Sequence, residues 1–144
     1  MRPLALPLLV LPLAAWTTHI NGLLPVSPAP GAQVDSLTPT LQWEPFPERG
    51  DPHVTEVVYD LRVLESGGAQ VYSREGLPEC SHRLQQALVP GRVYYWTVRV
   101  RFRWDGRRRE TQWTTVRNSR GSPSTPEDPA RYMPLRSPVA TDGK

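Results

Sequence analysis

The 144-residue chain has one cysteine, Cys80, and one lysine, Lys144. A single cysteine excludes an intrachain disulfide and any multi-cysteine metal site. The three histidines, His19, His53 and His82, lack the spacing of metal ligands, and the sequence contains no glycine-rich phosphate-binding loop. We therefore expect neither a bound metal nor a cofactor.

The sequence also offers little for catalysis. Cys80 and His82 are two residues apart, so a β-strand would place both on one face, and they are the only candidate thiol–imidazole pair. A catalytic dyad also needs a shaped pocket and an oxyanion hole, and no segment of the sequence indicates either. We predict that the protein is not an enzyme.

No apolar run is long enough to cross a bilayer as a helix, but the N-terminus contains a shorter one. Arg2 precedes the stretch LALPLLVLPLAA, whose length is typical of a secretory signal, and Ala14 and Ala15 offer a cleavage point. The stretch ending at Trp16 is similar to a lipobox in which tryptophan replaces the lipidated cysteine, so lipidation is not expected. We interpret residues 1–20 as a signal-peptide-like leader.

The remaining composition favours a turn-rich β protein. The chain holds 17 prolines and 10 glycines with 38% hydrophobic residues, and prolines are disfavoured within helices. Its formal net charge is +3, but residues 99–120 alone contain eight arginines against two acids, a local balance of +6. The rest of the chain therefore carries −3, and the positive charge is concentrated in one segment.

The strongest secondary-structure signal is the stretch RVYYWTVRVRF, in which polar and apolar side chains alternate with a period of two. One predicted face consists of Tyr94, Trp96, Val98, Val100 and Phe102, and the other of Tyr95, Thr97, Arg99, Arg101 and Arg103. Weaker alternation in TLQWEP and VVYDLRVLE predicts further strands. The alternation predicts half-buried strands rather than amphipathic helices.

Asp105-Gly106 is a dipeptide preferred in two-residue hairpin turns. If Trp104 pairs with Arg107, then Arg101 lies opposite Glu110 and Val98 lies opposite Trp113. This register predicts that Trp113 points into the core, since a slip by one residue would turn it outward. It also places two arginines, Arg103 and Arg108, side by side, which is unfavourable unless an anion or an acid lies near.

Six or seven short strands over residues 22–118 predict an all-β, antiparallel β-sandwich of about seven strands. Residues 119–144 are dense in proline and serine without periodicity, and we expect them to form a disordered tail. The predicted structural core comprises Trp43, Tyr59, Leu88, Tyr94, Trp96, Val98 and Trp113.

The stretch LVPGRVYYWTVRV resembles the end of strand E, the turn and strand F of fibronectin type III domains, especially bacterial ones. The resemblance implies an immunoglobulin-like sandwich in which Tyr94, six residues after Leu88, forms the tyrosine corner. Trp43 in TLQWEP is similar to the strand B tryptophan of the family. The chain departs from the family pattern at Gln85 and Gln86, where apolar alternation is interrupted, so we expect a bulge there.

Arg49-Gly50-Asp51 is an adhesion tripeptide in some extracellular domains. In the fibronectin modules that use it, the tripeptide occupies the loop between strands F and G, whereas here it falls between the predicted strands B and C. Pro47 and Pro52 bracket and stiffen this loop. We interpret the tripeptide as part of a loop rather than as a receptor-binding site.

A stripe of arginines is the candidate binding surface of the chain: Arg99, Arg101, Arg103, Arg107, Arg108 and Arg109. Guanidinium groups in this arrangement bind anionic glycans or lipid head groups, and the alternative is a solvated face. Tyr95 and Trp104 are candidates for a sugar-stacking platform.

These features predict a non-catalytic, exported interaction or structural module of the cell envelope, periplasm or secreted fraction. Its expected partner is another envelope or extracellular protein. The alternative is a module that binds anionic glycans or lipid head groups through the arginine stripe. Export disfavours nucleic acid as a ligand, and we expect no transmembrane span.

Overall fold

A computed structural model describes residues 23–47, 50–114 and 132–141, and every regular element in them is a β-strand. The strands are β1 (Pro25–Ser27), β2 (Thr40–Trp43), β3 (Val54–Glu65), β4 (Gln70–Leu77), β5 (Ser81–Arg83), β6 (Val93–Trp104), β7 (Arg107–Glu110) and β8 (Met133–Arg136). The predicted all-β antiparallel fold class is confirmed.

The strands form two sheets. The smaller sheet has the order β1-β2-β5, and the larger has the order β4-β3-β6-β7, with β8 also paired to β6. Leu41 and Trp43 of the smaller sheet are buried in one cluster with Val63 and Trp96 of the larger. The sheets therefore share a single apolar core.

The alternation predicted for β6 is confirmed. The predicted inward residues are all buried, and Trp96 has 0% of its surface exposed. Burial of a side chain of this size contributes on the order of 2–3 kcal/mol. Of the predicted core residues, the following are buried: Trp43, Tyr59, Leu88, Tyr94, Trp96 and Val98.

Trp113 is the exception, because it is only half-buried and lies on the outer face of the larger sheet. Thr111 N–H donates to Val100 O at 3.0 Å, as the predicted register requires, but the next bond to Val98 O comes from Thr114 N–H, also at 3.0 Å. The segment after β7 therefore has one extra residue between Thr111 and Thr114. The prediction that Trp113 points into the core is wrong.

Part of the predicted tail is ordered. Met133–Arg136 forms β8, which pairs with the first half of β6 and buries Met133 and Leu135 in the core. On its other side, β8 bonds to residues 31–34, as in the hydrogen bond from Val34 N–H to Arg136 O at 2.9 Å. The expectation of disorder is therefore wrong for residues 132–141. The predicted leader and residues 115–131 lie outside the described residues.

The bulge expected at Gln85 and Gln86 is not formed, because β5 is only three residues long. β5 ends at Arg83, and Gln85 and Gln86 form an exposed bend rather than a bulge within a strand. Leu84 and Leu88 still reach the core, which they enter from either side of this bend.

Candidate interaction surface at the β6–β7 hairpin

The predicted arginine stripe divides into two groups. Arg99, Arg101 and Arg103 project from the outer face of β6 and bond to acidic side chains of the same chain. Arg107, Arg108 and Arg109, which we call the tip arginines, form most of β7 and are all exposed. The two groups therefore have different surroundings.

Asp60 in β3 organises the first group. Its Oδ2 accepts hydrogen bonds from Arg99 Nε at 2.9 Å and Arg101 Nε at 2.8 Å, and its Oδ1 accepts one from Arg101 Nη2 at 2.9 Å. Only 1% of Asp60 is exposed although it lies on the outer face of the sheet, because the arginine side chains cover it. This buried carboxylate engages two members of the predicted stripe and offsets one of their two positive charges.

A bulge in β4 supplies another donor to Asp60. The β3–β4 register shifts between Tyr59 and Leu61, and Gly76 there has a φ of 70°. This left-handed conformation favours glycine and allows Gly76 N–H to donate to Asp60 Oδ1 at 3.1 Å. Burial alone would raise the pKa of Asp60, but the hydrogen bonds from Arg101, Arg99 and Gly76 outweigh it and hold the pKa below its ordinary value.

Glu56 neutralises Arg103. β3 has one extra residue between Thr55 and Val58, and Glu56 in this bulge has a φ of 51°. Its carboxylate accepts a hydrogen bond from Arg103 Nε. Arg103 does lie opposite Arg108, as the hairpin register predicts, and Glu56 is the acid that relieves this repulsion.

Trp113 contacts two guanidinium groups. The Cζ atoms of Arg62 and Arg99 lie 4.3 and 4.7 Å from the centre of its ring. These are cation–π contacts, each contributing about 0.5–1 kcal/mol at a partly exposed site. The side chain of Trp113 thus points outward and packs against arginines of β3 and β6 instead of filling the core.

The β6–β7 turn has the predicted form. Asp105 and Gly106 have φ angles of 45° and 78°, so both central residues adopt the positive values of a type I′ turn. Trp104 pairs with Arg107 and Arg101 with Glu110, which confirms the predicted register at the hairpin. Within the part of the chain that the structure describes, no acidic side chain lies within ion-pair distance of a tip arginine.

The loop between β2 and β3 supports the hairpin from the side. His53 Nδ1 lies 2.7 Å from Asp105 Oδ1, and its ring stacks on Trp104 with centroids 5.4 Å apart. The hydrogen bond to Asp105 and the charge of that carboxylate raise the pKa of His53. Sequence reasoning missed this contact, because 52 residues separate the two partners.

The adhesion tripeptide lies in the same loop. Asp51 Oδ1 accepts a hydrogen bond from His53 N–H at 2.9 Å, and Asp51 O accepts one from Val54 N–H. These bonds shape the turn into β3, and the carboxylate of Asp51 is engaged in them. Arg49 lies outside the described residues.

The other candidate groups do not converge. Cys80 Sγ donates to Tyr59 Oη at 3.4 Å, whereas His82 Nε2 lies 2.6 Å from Tyr72 Oη, so the thiol and the imidazole have separate tyrosine partners. Across residues 23–47, 50–114 and 132–141, no group of three His, Cys, Asp or Glu side chains could hold a metal ion.

The predicted sugar-stacking platform is not formed. Tyr95 and Trp104 lie on opposite faces of β6, nine residues apart. At about 3.3 Å per residue this separation is roughly 30 Å, too far for two rings to share one sugar.

The chain matches no protein-family model and no curated protein sequence. Nowhere in its described segments is there a helix long and apolar enough to cross a membrane.

Proposed function

We propose that the chain is a fibronectin type III-like module that is exported to the cell envelope and acts there, without catalysis, in binding or structure. The observation that carries the proposal is the hydrogen bond from Val89 N–H to Tyr94 Oη at 2.9 Å. A tyrosine near the start of strand F that bonds back to the preceding turn is the tyrosine corner of immunoglobulin-like sandwiches.

The strand order also supports this proposal. The smaller sheet contains the first, second and fifth strands, and the larger sheet places the third, sixth and seventh side by side. This grouping agrees with strands A, B and E facing strands C, F and G. Such sandwiches present loops and hairpins at their ends to partners, and here the end hairpin carries the tip arginines.

Export is tested by the mature N-terminus. The native full-length gene is expressed in its source cell, and the protein from envelope, periplasmic and culture fractions is analysed by intact mass spectrometry. The proposal predicts removal of the segment up to Ala14 or Ala15 and recovery outside the cytoplasm. Recovery in the cytoplasm with Met1 or Arg2 as the first residue would contradict it.

Partner binding is tested by crosslinking on intact cells, with a photo-reactive amino acid placed at Gln112 beside the hairpin. The same photo-reactive amino acid is placed separately at Gln70, which is exposed at the start of β4, to sample a second part of the surface. The proposal predicts specific crosslinks to a discrete envelope protein. If neither position forms a specific crosslink, the result would count against an interaction role.

Binding of anionic glycans or lipid head groups is the second candidate function. It is favoured by the exposure of the tip arginines and by their lack of a described acidic partner. A variant with Arg107, Arg108 and Arg109 changed to Gln is compared with one in which Arg83, Arg92 and Arg136 are changed to Gln. The two variants lose equal charge. This function predicts that only the first variant loses retention on immobilised heparin or on anionic vesicles, and equal retention would contradict it.

A further inference from the structure

β7 is an edge strand. In the larger sheet it follows β6 at the end of the order, and among the described strands it pairs with β6 alone. All four of its residues, Arg107–Glu110, are exposed. Edge strands present unpaired backbone donors and acceptors that can pair with another strand.

The ladder identifies which backbone groups of β7 do not bond to β6. Thr111 N–H bonds to Val100 O, and bonded and non-bonded pairs alternate along an antiparallel ladder. The pairs Phe102–Arg109 and Trp104–Arg107 are therefore the bonded ones. Consequently the N–H and C=O groups of Arg108 and Glu110 point away from β6, toward the open edge.

The tip arginines flank this edge on both faces of the sheet. Arg107 and Arg109 lie opposite Trp104 and Phe102, whereas Arg108 lies opposite Arg103 on the other face. A small anion or a flat surface can contact only one of these faces at a time. An added strand lies in the plane of the sheet and sends alternate side chains to both faces.

We propose that the edge of β7 binds an extended acidic peptide segment of the partner protein as an additional strand. This inference rests on the proposed interaction role and specifies its partner. The backbone of Arg108 and Glu110 would form the ladder, and acidic side chains of the peptide would pair with the tip arginines on the two faces. A second copy of β7 is a poor partner, because three arginines on each strand would repel one another.

Two of the four large exposed aliphatic side chains of the described residues lie far from the tip arginines. Val89 and Val139 are 48% and 68% exposed, but they lie beside the start of β6, whereas the hairpin lies at its end. The twelve residues of β6 separate these two regions by roughly 36 Å. The other two, Leu24 and Val26, are 52% and 53% exposed and lie at β1 in the smaller sheet, whereas β7 itself carries only charged side chains.

The test uses the full chain and a synthetic capped peptide, Thr-Val-Glu-Glu-Glu-Val-Thr, as the probe. A second peptide has the same sequence with N-methyl groups on the three glutamates, which keeps the charge but removes ladder donors. A heparin oligosaccharide and anionic vesicles are the other probes. Affinity is measured by titration calorimetry, and backbone amide exchange is measured by NMR with and without each probe.

We expect the first peptide to bind about tenfold more tightly than its N-methylated form, because the N-methyl groups remove hydrogen bonds of the ladder. Binding should slow amide exchange at Arg108 and Glu110 and leave the amides of Arg107 and Arg109, already bonded to β6, unchanged. Changing the tip arginines to Gln should weaken binding at least about tenfold. The matched variant of Arg83, Arg92 and Arg136 should bind normally.

Equal binding of the two peptides, or unchanged exchange at Arg108 and Glu110, would overturn the proposal, as would absence of peptide binding. Heparin or vesicle binding without peptide binding would also overturn it and would favour the second candidate function. Failure here is distinguishable from failure of the interaction role: partner crosslinks that survive the change of the tip arginines to Gln would place the partner on another surface.

Discussion

Thr114 occupies the place opposite Val98 that the register predicts for Trp113. Thr114 N–H donates to Val98 O at 3.0 Å, and Thr114 Oγ1 donates to the same oxygen at 2.9 Å. Thr111 Oγ1 in turn accepts a hydrogen bond from Val100 N–H at 3.1 Å. Threonine hydroxyl groups thus complete the hydrogen bonding at the irregularity, and Trp113 is released to the arginines outside.

Trp96 in β6 and Trp113 in the segment after β7 should differ sharply in their contribution to stability. Trp96→Ala removes a fully buried side chain and should lower the free energy of unfolding by about 3–5 kcal/mol. Trp113→Ala loses cation–π contacts and partial burial, so we expect a loss of about 1–2 kcal/mol. Urea unfolding measures both, and an equal loss in the two variants would contradict the outward placement of Trp113.

The hydroxyl of Tyr94 should stabilise the fold, whereas that of its neighbour should not. Tyr94→Phe removes the acceptor for Val89 N–H and should cost about 1 kcal/mol. Tyr95→Phe is the matched control, because Tyr95 has no hydroxyl contact with any described residue. Chemical denaturation measures the free energy of unfolding of both variants. A Tyr94→Phe protein as stable as the parent would refute the tyrosine corner.

Asp60 should make stability depend on acid pH. Its folded-state pKa lies below its ordinary value of 3.8, so its stabilisation is complete above that value and is lost as the pH falls through the folded-state pKa. Asp60→Asn should therefore be less stable than the parent at about pH 6, with a difference that shrinks toward about pH 2. Urea unfolding across this range measures the difference, and one that stays constant with pH would contradict the account.

The pKa values of the two histidines of the described segments should lie on opposite sides of the ordinary value of 6.5. Asp105 raises the pKa of His53, whereas burial, followed by the charge of Arg74, lowers the pKa of His82. The stabilisation of the fold by protonated His53 beside Asp105 is thus present below pH 6.5 and is lost as the pH rises through the folded-state pKa of His53. Protonation of His82 instead reduces stability as the pH falls below 6.5.

NMR titration of the imidazole protons measures both pKa values. Asp105→Asn should return the pKa of His53 toward 6.5 and leave the pKa of His82 unchanged. Reversed positions of the two titrations, or a His53 titration insensitive to Asp105→Asn, would contradict the observed pairing.

Alternation and turn chemistry were sufficient to predict the all-β class, the inward face of β6 and the hairpin register at Trp104–Arg107. These features depend on neighbours along the chain, and the Asp105-Gly106 turn fixes the pairing locally. The resemblance to fibronectin type III domains implied the Tyr94 contact, whose partner Val89 is only five residues away.

The remaining features depend on residues far apart in the sequence. Asp60 lies about 40 residues from Arg99 and Arg101 in the sequence and bonds to them only when β3 and β6 pair. The arginine stripe predicted as one charged surface is therefore divided into two groups. β8 was missed because its four residues lie within a proline-rich and serine-rich segment, where composition outweighs a short alternation. The bulge before Trp113 depends on threonine side-chain hydrogen bonds that a strand pattern does not encode.

The central claim is that the arginines of β6 stabilise the fold while the tip arginines are available to a partner. Urea unfolding of Arg101→Gln and of the triple variant with Arg107, Arg108 and Arg109 changed to Gln tests this most directly. Loss of the Arg101 hydrogen bonds to buried Asp60 should cost about 2 kcal/mol, whereas the triple variant should remain within about 0.5 kcal/mol of the parent. A triple variant that loses as much stability as Arg101→Gln would contradict the account.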